Sequence, residues 1–269
     1  MGIFAQAPTR SAWKNILKKG LVSVDNQLAS TATLIHGGEL IELRDQETTT
    51  PVKQFDLTLK VLYEDEYLAA IHKPAGIEVS GNKFKTITNA LAQNLSFSSL
   101  PDAAIPQPVH RLDFPTTGVL LVGKTKSAIR ELNRLFEEKQ VVKTYLAVVI
   151  GKMSGSEEIN LPVDEKPASS GYEVLDAVPS SRFGWLSLLK LTPSTGRRHQ
   201  LRKHLSGIGH PILGDSEYAF HGLELKGKGL YLHASVIQFI HPETNVSMNI
   251  ESALPVRFTK IFPNFKSGS

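Results

Sequence analysis

The sequence contains no cysteine, which excludes disulfide bonds, thiol nucleophiles, iron–sulfur clusters and zinc sites built on thiolates. It also lacks any apolar run near the roughly 20 residues that a membrane-spanning helix needs. The stretch from Met1 to Pro8 is too short for the apolar core of a secretory signal, and basic residues follow it instead of preceding it. No internal repeat or low-complexity tract is present. These absences predict a cytoplasmic protein with no membrane partner.

The composition is that of a folded chain whose positive charge is unevenly distributed. Hydrophobic residues make up 41% and charged residues 21% of the 269 residues, as in ordinary globular proteins. This length is sufficient for one large domain and a small appendage. Between positions 181 and 210 there is no acidic residue, and there are six basic ones: Arg182, Lys190, Arg197, Arg198, Arg202 and Lys203. Such a cluster is either a solvated face or a nucleic-acid surface, and charge alone does not separate the two.

The pattern of polar and apolar residues divides the chain into three parts. They are an N-terminal unit over residues 1–48, a polar linker over 49–60 and a main domain over 61–262. In the main domain, the pattern predicts strands at 61–63, 67–71, 118–123, 141–150 and 185–191, and helices at 88–95 and 126–139. Strands outnumber helices and the helices interrupt them irregularly. The main domain is therefore predicted to be mixed α+β and not a doubly wound sheet.

The N-terminal unit has its own small pattern. Apolar residues at helical spacing predict a helix over Ser11–Lys19, and short strands follow near Val22–Val24 and Leu40–Leu43. Residues 16–22 and 38–41 resemble an S4-type RNA-binding module in reduced form, since the opening helix of such modules is largely missing here. A structural cap that makes no contact with RNA explains this α/β pattern equally well.

Three segments of the main domain carry more polar residues than a structural role requires. The first contains His110, Arg111 and Asp113, directly before a predicted buried strand. A loop held by a rigid strand is a favoured place for catalysis. However, an aspartate in this position is also a common turn cap, and spacing alone favours that role.

The second segment is a strand in which Lys143 and Tyr145 share one face. The Tyr145 ring could line a cleft and stack on a base, or it could be an ordinary half-buried strand residue.

The third segment, residues 195–205, is predicted to form a helix with Leu201 and Leu205 on its buried side. Arg198 and Arg202 are expected one turn apart on an adjacent face. His199 and His204 are five residues apart, which puts them on different faces and argues against a metal site.

Together, these segments resemble the motifs of the RluA-type family of pseudouridine synthases. The matching stretches are 110–113 with 117–121, 143–147 and 196–204, and the flanking stretches are 61–66, 73–76, 209–215, 232–234 and 239–242. They occur in the family order from about residue 61 to residue 258. The resemblance implies the pseudouridine synthase fold, a mixed and largely antiparallel sheet with flanking helices. It also implies an enzyme that converts uridine in RNA to pseudouridine.

The resemblance assigns roles to the site residues. Asp113 is the catalytic carboxylate, and whether it attacks ribose, attacks uracil or assists elimination stays open. Arg202 is its ionic partner. Tyr145 stacks on the uracil and could take part in the final proton removal from carbon. Leu201 supplies an apolar wall, and Arg111 fills the gap that the flipped nucleotide leaves.

The remaining cationic and polar residues are expected to contact RNA. They are His110, Lys143, Arg182, Arg197, Arg198 and Lys203. The reaction is an isomerisation in which nothing is oxidised, so neither a cofactor nor a metal is expected. The predicted partner of this monomer is a stem-loop of ribosomal or transfer RNA, and not DNA. Three residues depart from the family pattern: Phe114, Thr117 and Arg198.

Two other functions fit parts of this pattern. A non-catalytic RNA-binding protein of the same fold could act in ribosome assembly, but it has no need for the intact set Asp113, Tyr145 and Arg202. A hydrolase could use Asp113 with His199, although residues 181–210 offer it no second carboxylate. The products separate the three functions: isomerised uridine, unchanged RNA, or released uracil and cleaved strand.

Overall fold

The computed structural model describes residues 10–44, 55–225 and 227–265, and the chain forms two compact units, 1–51 and 52–269. The described residues of the first unit form one helix, α1 (Arg10–Lys18), and an antiparallel three-stranded sheet in the order β2-β1-β3. Its strands are β1 (Val22–Val24), β2 (Gln27–Leu28) and β3 (Ile41–Leu43). The pattern of the sequence predicted α1, β1 and β3 but not the two-residue strand β2. The S4-like character of this unit stays a prediction, and most of the predicted linker lies outside the described residues.

The second unit is built on a ten-stranded sheet. Its strands are β4 (Lys60–Glu64), β5 (Leu68–Lys73), β6 (Ala103–Pro108), β7 (Thr117–Thr125), β8 (Val142–Ile150), β9 (Ser156–Ile159), β10 (Ser170–Ser180), β11 (Gly184–Pro193), β12 (Leu232–Ile240) and β13 (Ser247–Glu251). The main order is β4-β5-β7-β12-β8-β11-β10-β9, with β13 paired to β12 and β6 to β7. Only the pair β7 and β12 is parallel among the described strands. The predicted mixed, largely antiparallel sheet is confirmed.

In the described part of this unit, four helices accompany the sheet: α2 (Ile87–Asn94), α3 (Lys126–Glu137), α4 (Gln200–Gly207) and α5 (Val256–Thr259). The longest, α3, starts directly after β7, where the Thr125 hydroxyl accepts a hydrogen bond from the Ala128 amide and caps the helix. The apolar stripe of α3, including Leu132 and Leu135, is buried with residues of β5, β7 and β12. None of the described helices is long and apolar enough to cross a membrane.

The centre of the sheet is the seam between β7 and β12, and the loop that carries Asp113 leads into it. All nine residues of β7 are buried. Gly118 lies opposite Ala234 of β12, and a Cβ atom on Gly118 would be 2.1 Å from the Ala234 carbonyl oxygen. Gly118 also has a φ of 121°, which glycine adopts readily. Ala234 is paired on its other side with Tyr145 of β8. The seam therefore brings the loop that carries Asp113 close to Tyr145 of β8.

A buried histidine next to this seam is expected to make folding sensitive to acid. The ring of His233 is hydrogen-bonded through Nδ1 to the Thr117 hydroxyl and through Nε2 to the Ser252 carbonyl oxygen. Burial lowers the pKa of His233 to about 4, whereas histidine in an unfolded chain titrates at about 6.5. As the pH falls through this window, the unfolded state binds a proton that the folded state does not, so the free energy of unfolding decreases.

Because of His233, we expect the free energy of unfolding to decrease by roughly 1–2 kcal/mol when the pH is lowered from about 7 to about 5. Denaturant unfolding at both pH values measures this loss. A His233→Gln variant should lose less stability than the wild type over the same interval, and a variant of the fully exposed His221, His221→Gln, is the control. Equal losses in the wild type and in His233→Gln would contradict the assignment.

Candidate active site

A cleft of about 870 Å³ brings the three polar segments of the sequence together. It is lined by the loop before β7, the start of β8 and the segment that leads from β11 into α4. The predicted site residues that line it are His110, Arg111, Asp113, Lys143, Tyr145, Arg197, Arg198 and Leu201. Arg202 reaches Asp113 from α4. Two predicted RNA contacts, Arg182 and Lys203, are not part of the cleft lining.

Asp113 has a carboxylate that faces the guanidinium of Arg202 and the ring of His199 but accepts no hydrogen bond from the described residues. Its Oδ2 atom is 4.0 Å from Nη1 of Arg202, and its Oδ1 atom is 3.8 Å from Nε2 of His199. No side chain or amide in the described residues donates a hydrogen bond to it; the turn is closed by its backbone oxygen, which accepts from the Thr116 amide at 3.0 Å. The carboxylate is therefore not a turn cap, and both oxygens are available to a substrate.

Arg202 is fixed by a second carboxylate that the sequence did not single out. Its Nε and Nη2 atoms each donate to Asp215 at 2.7 Å, and Nη2 also donates to Glu217 at 3.2 Å. Burial opposes ionisation of Asp215, but the hydrogen bonds from Arg202 prevail and lower its pKa. The guanidinium also lies 4.8 Å from the centre of the Tyr218 ring. The closest ionic partner of Arg202 is thus Asp215 at 2.7 Å, whereas Asp113 is 4.0 Å from Nη1 of the guanidinium.

A buried lysine binds the backbone of the loop that carries Asp113. Lys73 is fully buried, and its ammonium donates to the backbone oxygens of Pro74, Phe114 and Thr116 at 2.9–3.2 Å. The Phe114 oxygen also accepts from the Gly76 amide. Burial lowers the pKa of Lys73 to about 8, against the opposing effect of Asp113. The backbone that follows Asp113 is therefore fixed, which orients the carboxylate towards the cleft.

Tyr145 and Leu201 supply the apolar part of the cleft. Both line it, Leu201 is almost fully buried, and Tyr145 packs against the clusters on either side of it. Burial, assisted by the negative charge of Asp113, raises the pKa of Tyr145 well above its ordinary value. The phenol therefore keeps its proton, and its ring offers an aromatic face to a base.

The sequence analysis misplaced the start of α4. The helix begins at Gln200 and not at residue 195, so Arg198 precedes it and does not lie one helical turn from Arg202. The chain turns sharply before the helix because His199 adopts a left-handed conformation with φ of 55°. This turn brings Arg197, Arg198 and His199 to the cleft wall.

The remaining predicted RNA contacts fall into two groups. Arg111, Lys143, Arg197 and Arg198 lie along the cleft together with Lys139, which the sequence did not indicate. By contrast, Arg182 donates to the Glu224 carbonyl oxygen, and Lys203 forms an ion pair with Asp164.

His110 lines the cleft, but its ring stacks on Phe136 and its Nε2 accepts from the Leu121 amide. Burial lowers the pKa of His110 to about 3. It is therefore neutral at physiological pH. Among the described residues, no cluster of three or more potential metal ligands occurs.

Comparisons with known proteins agree with this arrangement. The family model described as RNA pseudouridylate synthase matches residues 67–207, which is more than half of the chain. The ribosomal large subunit pseudouridine synthase C of Vibrio vulnificus is 31% identical over 94% of this chain and 87% of its own length. The ribosomal large subunit pseudouridine synthase D of Nitrosomonas europaea is 33% identical over 92% of this chain and 77% of its own.

A solved structure supports the same assignment. The human RNA pseudouridylate synthase domain containing 4 superimposes with a TM-score of 0.61 and 26% identity, over 76% of this chain and 92% of its own. The motifs, the cleft and these comparisons lead to one conclusion. The chain belongs to the RNA pseudouridylate synthase family, of the RluA type, and is an enzyme that isomerises uridine in RNA to pseudouridine.

Proposed function

We propose that this enzyme acts on ribosomal RNA and uses Asp113 as its catalytic carboxylate. The observation that supports the residue assignment is the position of Asp113 in the cleft, where Arg202 faces it and its oxygens accept no hydrogen bond from any described residue. The substrate assignment is supported by the names of the curated relatives, which are ribosomal large subunit enzymes. Transfer RNA is the alternative substrate.

Each residue around Asp113 has a separate role in the proposed reaction. The target uridine must leave its helix, at a cost of roughly a few kcal/mol. Arg111, exposed at the cleft, fills the space it leaves. Tyr145 and Leu201 hold the uracil, while Asp113 starts the cleavage of the glycosidic bond with its free oxygens. Arg202 keeps a positive charge 4.0 Å from the carboxylate and is itself held by Asp215.

The cationic walls of the cleft hold the RNA backbone. Arg197 and Arg198 are exposed side chains of one wall, and Lys143 is a half-buried cation of the same cleft. Phe114, next to Asp113, is 53% exposed, so at this position the RNA meets an aromatic ring where the family usually has a polar group. Contacts between the cleft cations and RNA phosphates release counterions, so the RNA affinity depends on the salt concentration.

Removal of one cleft cation is expected to lower the salt dependence of RNA binding. For Arg197→Ala or Arg198→Ala, the slope of log affinity against log salt should decrease by about 0.7–0.9. Titrations of a fluorescent stem-loop at several salt concentrations measure it. Arg182→Ala serves as the comparison, since Arg182 donates to a backbone oxygen and is not in the cleft lining. A larger decrease for Arg182→Ala would contradict the cleft as the phosphate track.

The substrate assignment is tested with unmodified transcripts. Purified enzyme is incubated separately with large-subunit ribosomal RNA, small-subunit ribosomal RNA and a transfer RNA pool, and pseudouridine is mapped chemically in each. Product confined to large-subunit RNA supports the proposal. Product confined to transfer RNA would mean that transfer RNA is the substrate, and the proposed chemistry would be unchanged.

Three organisational features belong to the same proposal. We propose that the enzyme works as a monomer. It works in the cytoplasm, where its proposed substrate is made and processed. The division into an S4-like module at 1–48, a linker at 49–60 and a catalytic domain at 61–262 is supported by the two compact units of the chain.

A further inference from the structure

Gln200 is a buried amide at the junction between the cleft wall and α4. It is the first residue of that helix, and it is 4% exposed. Its Nε2 atom donates to the Ser169 carbonyl oxygen at 2.9 Å and to the Ser170 hydroxyl oxygen at 2.8 Å. Its Oε1 atom accepts from the Thr195 hydroxyl at 2.7 Å and from the Arg197 amide at 3.0 Å. One amide therefore joins the start of β10 to the turn that precedes α4, residues 195–199.

These four bonds use the full hydrogen-bonding capacity of the amide. A primary amide has two N–H donors and an oxygen that accepts two hydrogen bonds. Because the group is buried, a displacement of the turn relative to β10 would leave at least one polar group without a partner, which costs free energy. The two acceptors at β10 are 31 and 30 residues away from Gln200 in the sequence. The amide thus fixes the turn relative to the sheet.

The turn that is fixed in this way carries two cations of the cleft wall. Arg197 and Arg198 both line the cleft with exposed side chains. The Arg197 backbone is bound to Gln200 a second time, since its carbonyl oxygen accepts from the Gln200 backbone amide at 3.2 Å. The Arg197 guanidinium is bound to the segment before β10, where Nε donates to the Pro167 carbonyl oxygen at 3.3 Å. Contacts to β10 and its preceding segment therefore orient this part of the wall.

We infer that Gln200 is a positioning residue for RNA binding, which holds Arg197 and Arg198 where they meet the phosphates of the bound strand. The inference rests on the phosphate contacts proposed above for these two arginines. Long cationic side chains lose conformational entropy on binding, and a backbone that is already in place reduces this cost. The four bonds of the amide go to groups other than Asp113 and Arg202. Gln200 is therefore expected to act on RNA affinity and not on the chemical step.

The variant Gln200→Met keeps the approximate length of the side chain and removes the amide. We expect its affinity for a fluorescent stem-loop RNA to fall by about tenfold or more at low salt, as for the loss of one charge-assisted contact. The difference from the wild type should decrease as the salt concentration is raised, because the weakened contacts are ionic. The single-turnover rate at saturating RNA should stay near the wild-type value.

A double-variant cycle tests whether the effect of Gln200 depends on the two arginines. Gln200→Met is combined with the pair Arg197→Ala and Arg198→Ala, and RNA affinity is measured for the wild type, each parent and the combination. If Gln200 acts by placing these cations, its replacement should cost much less affinity once they are absent. A residue that only supports the fold would weaken binding equally in both backgrounds.

Asn94→Met is the matched control, because it removes another amide that joins separate parts of the chain. Nδ2 of Asn94 donates to the carbonyl oxygens of Leu57 and Ala90 at 2.7 Å, and Oδ1 accepts from the Leu59 amide at 2.8 Å. Asn94 is not part of the cleft lining. This variant should lose stability in thermal unfolding and bind RNA as the wild type does.

Thr195→Val supplies the same test if Gln200→Met does not fold, since it removes one bond to the amide oxygen and keeps the side-chain shape. The inference would be overturned by wild-type affinity in the folded variant, by equal losses in both backgrounds of the cycle, or by a saturating rate that falls as far as the affinity. Wild-type affinity in the Arg197 and Arg198 variant would overturn the phosphate contacts and this inference together. The rate of Asp113→Asn tests the catalytic carboxylate separately.

Discussion

Replacing Asp113 with asparagine is expected to reduce pseudouridine formation at least about a thousandfold, while leaving the fold and the RNA affinity nearly unchanged. Asparagine has almost the same shape but is neither a nucleophile nor a base. The carboxylate accepts no hydrogen bond from the described residues, so its replacement leaves no donor without a partner. The loop itself is held by backbone contacts to Lys73 and Gly76. The loss should therefore be confined to the chemical step.

Single-turnover assays on a stem-loop RNA, together with binding titrations and thermal unfolding, separate these effects. Phe114→Ala is a suitable comparison in the same loop, because it changes an exposed side chain and leaves the carboxylate in place. It should weaken RNA binding and retain turnover. An Asp113→Asn enzyme with more than about a tenth of the wild-type single-turnover rate would contradict the assignment of the carboxylate.

Replacing Arg202 with methionine is expected to damage both stability and activity. The Asp215 side chain is completely buried, and without the guanidinium it keeps only the amides of Glu217 and Tyr218 as donors. Leaving one partner of a buried ion pair alone costs about 3–5 kcal/mol. Asp113 also loses the positive charge 4.0 Å away, so we expect the rate to fall by about 10²-fold or more. Denaturant unfolding and single-turnover rates measure the two losses.

A double variant separates the structural part of this effect from the electrostatic part. In Arg202→Met with Asp215→Asn, the amide oxygen still accepts from Glu217 and Tyr218, but no buried charge remains unpaired. Its stability should recover towards the wild-type value, while its activity should stay low. If the double variant were no more stable than Arg202→Met, the ion pair would not be the source of the loss. If Arg202→Met retained full activity, the proposed role beside Asp113 would be wrong.

Local sequence signals were sufficient for the fold class, and most of the predicted site residues line the cleft. The apolar run of β7 and the helical spacing of Ile129, Leu132 and Leu135 predicted a buried strand followed by an amphipathic helix, which the structure has. The motif around Asp113 placed the loop at the start of that strand. Tyr145 was placed correctly because alternation along a strand fixes which side chains share a face.

Contacts between distant parts of the chain account for what the sequence analysis missed. Nothing near Lys73 indicates that it holds three backbone oxygens, two of them about forty residues away. Asp215 and Arg202 are thirteen residues apart and meet only because the chain returns after α4. The left-handed conformation of His199 depends on its tertiary surroundings, and the sequence analysis considered this histidine only as a metal ligand or as a hydrolase residue. Five strands of the main sheet were also missed, namely β6, β9, β10, β12 and β13. Their burial is mixed along the strand, which weakens the alternation of polar and apolar residues.

The most direct test is nucleoside analysis of RNA incubated with the wild-type enzyme, in the presence of a chelator and without added nucleotide. Unmodified ribosomal RNA is digested after incubation, and uridine, pseudouridine and free uracil are quantified, with Asp113→Asn as the parallel sample. The account predicts that pseudouridine appears at the expense of uridine, only with the wild type and with no free uracil. Free uracil would indicate a hydrolase, and formation of pseudouridine by Asp113→Asn at the wild-type rate would contradict the central role of this carboxylate.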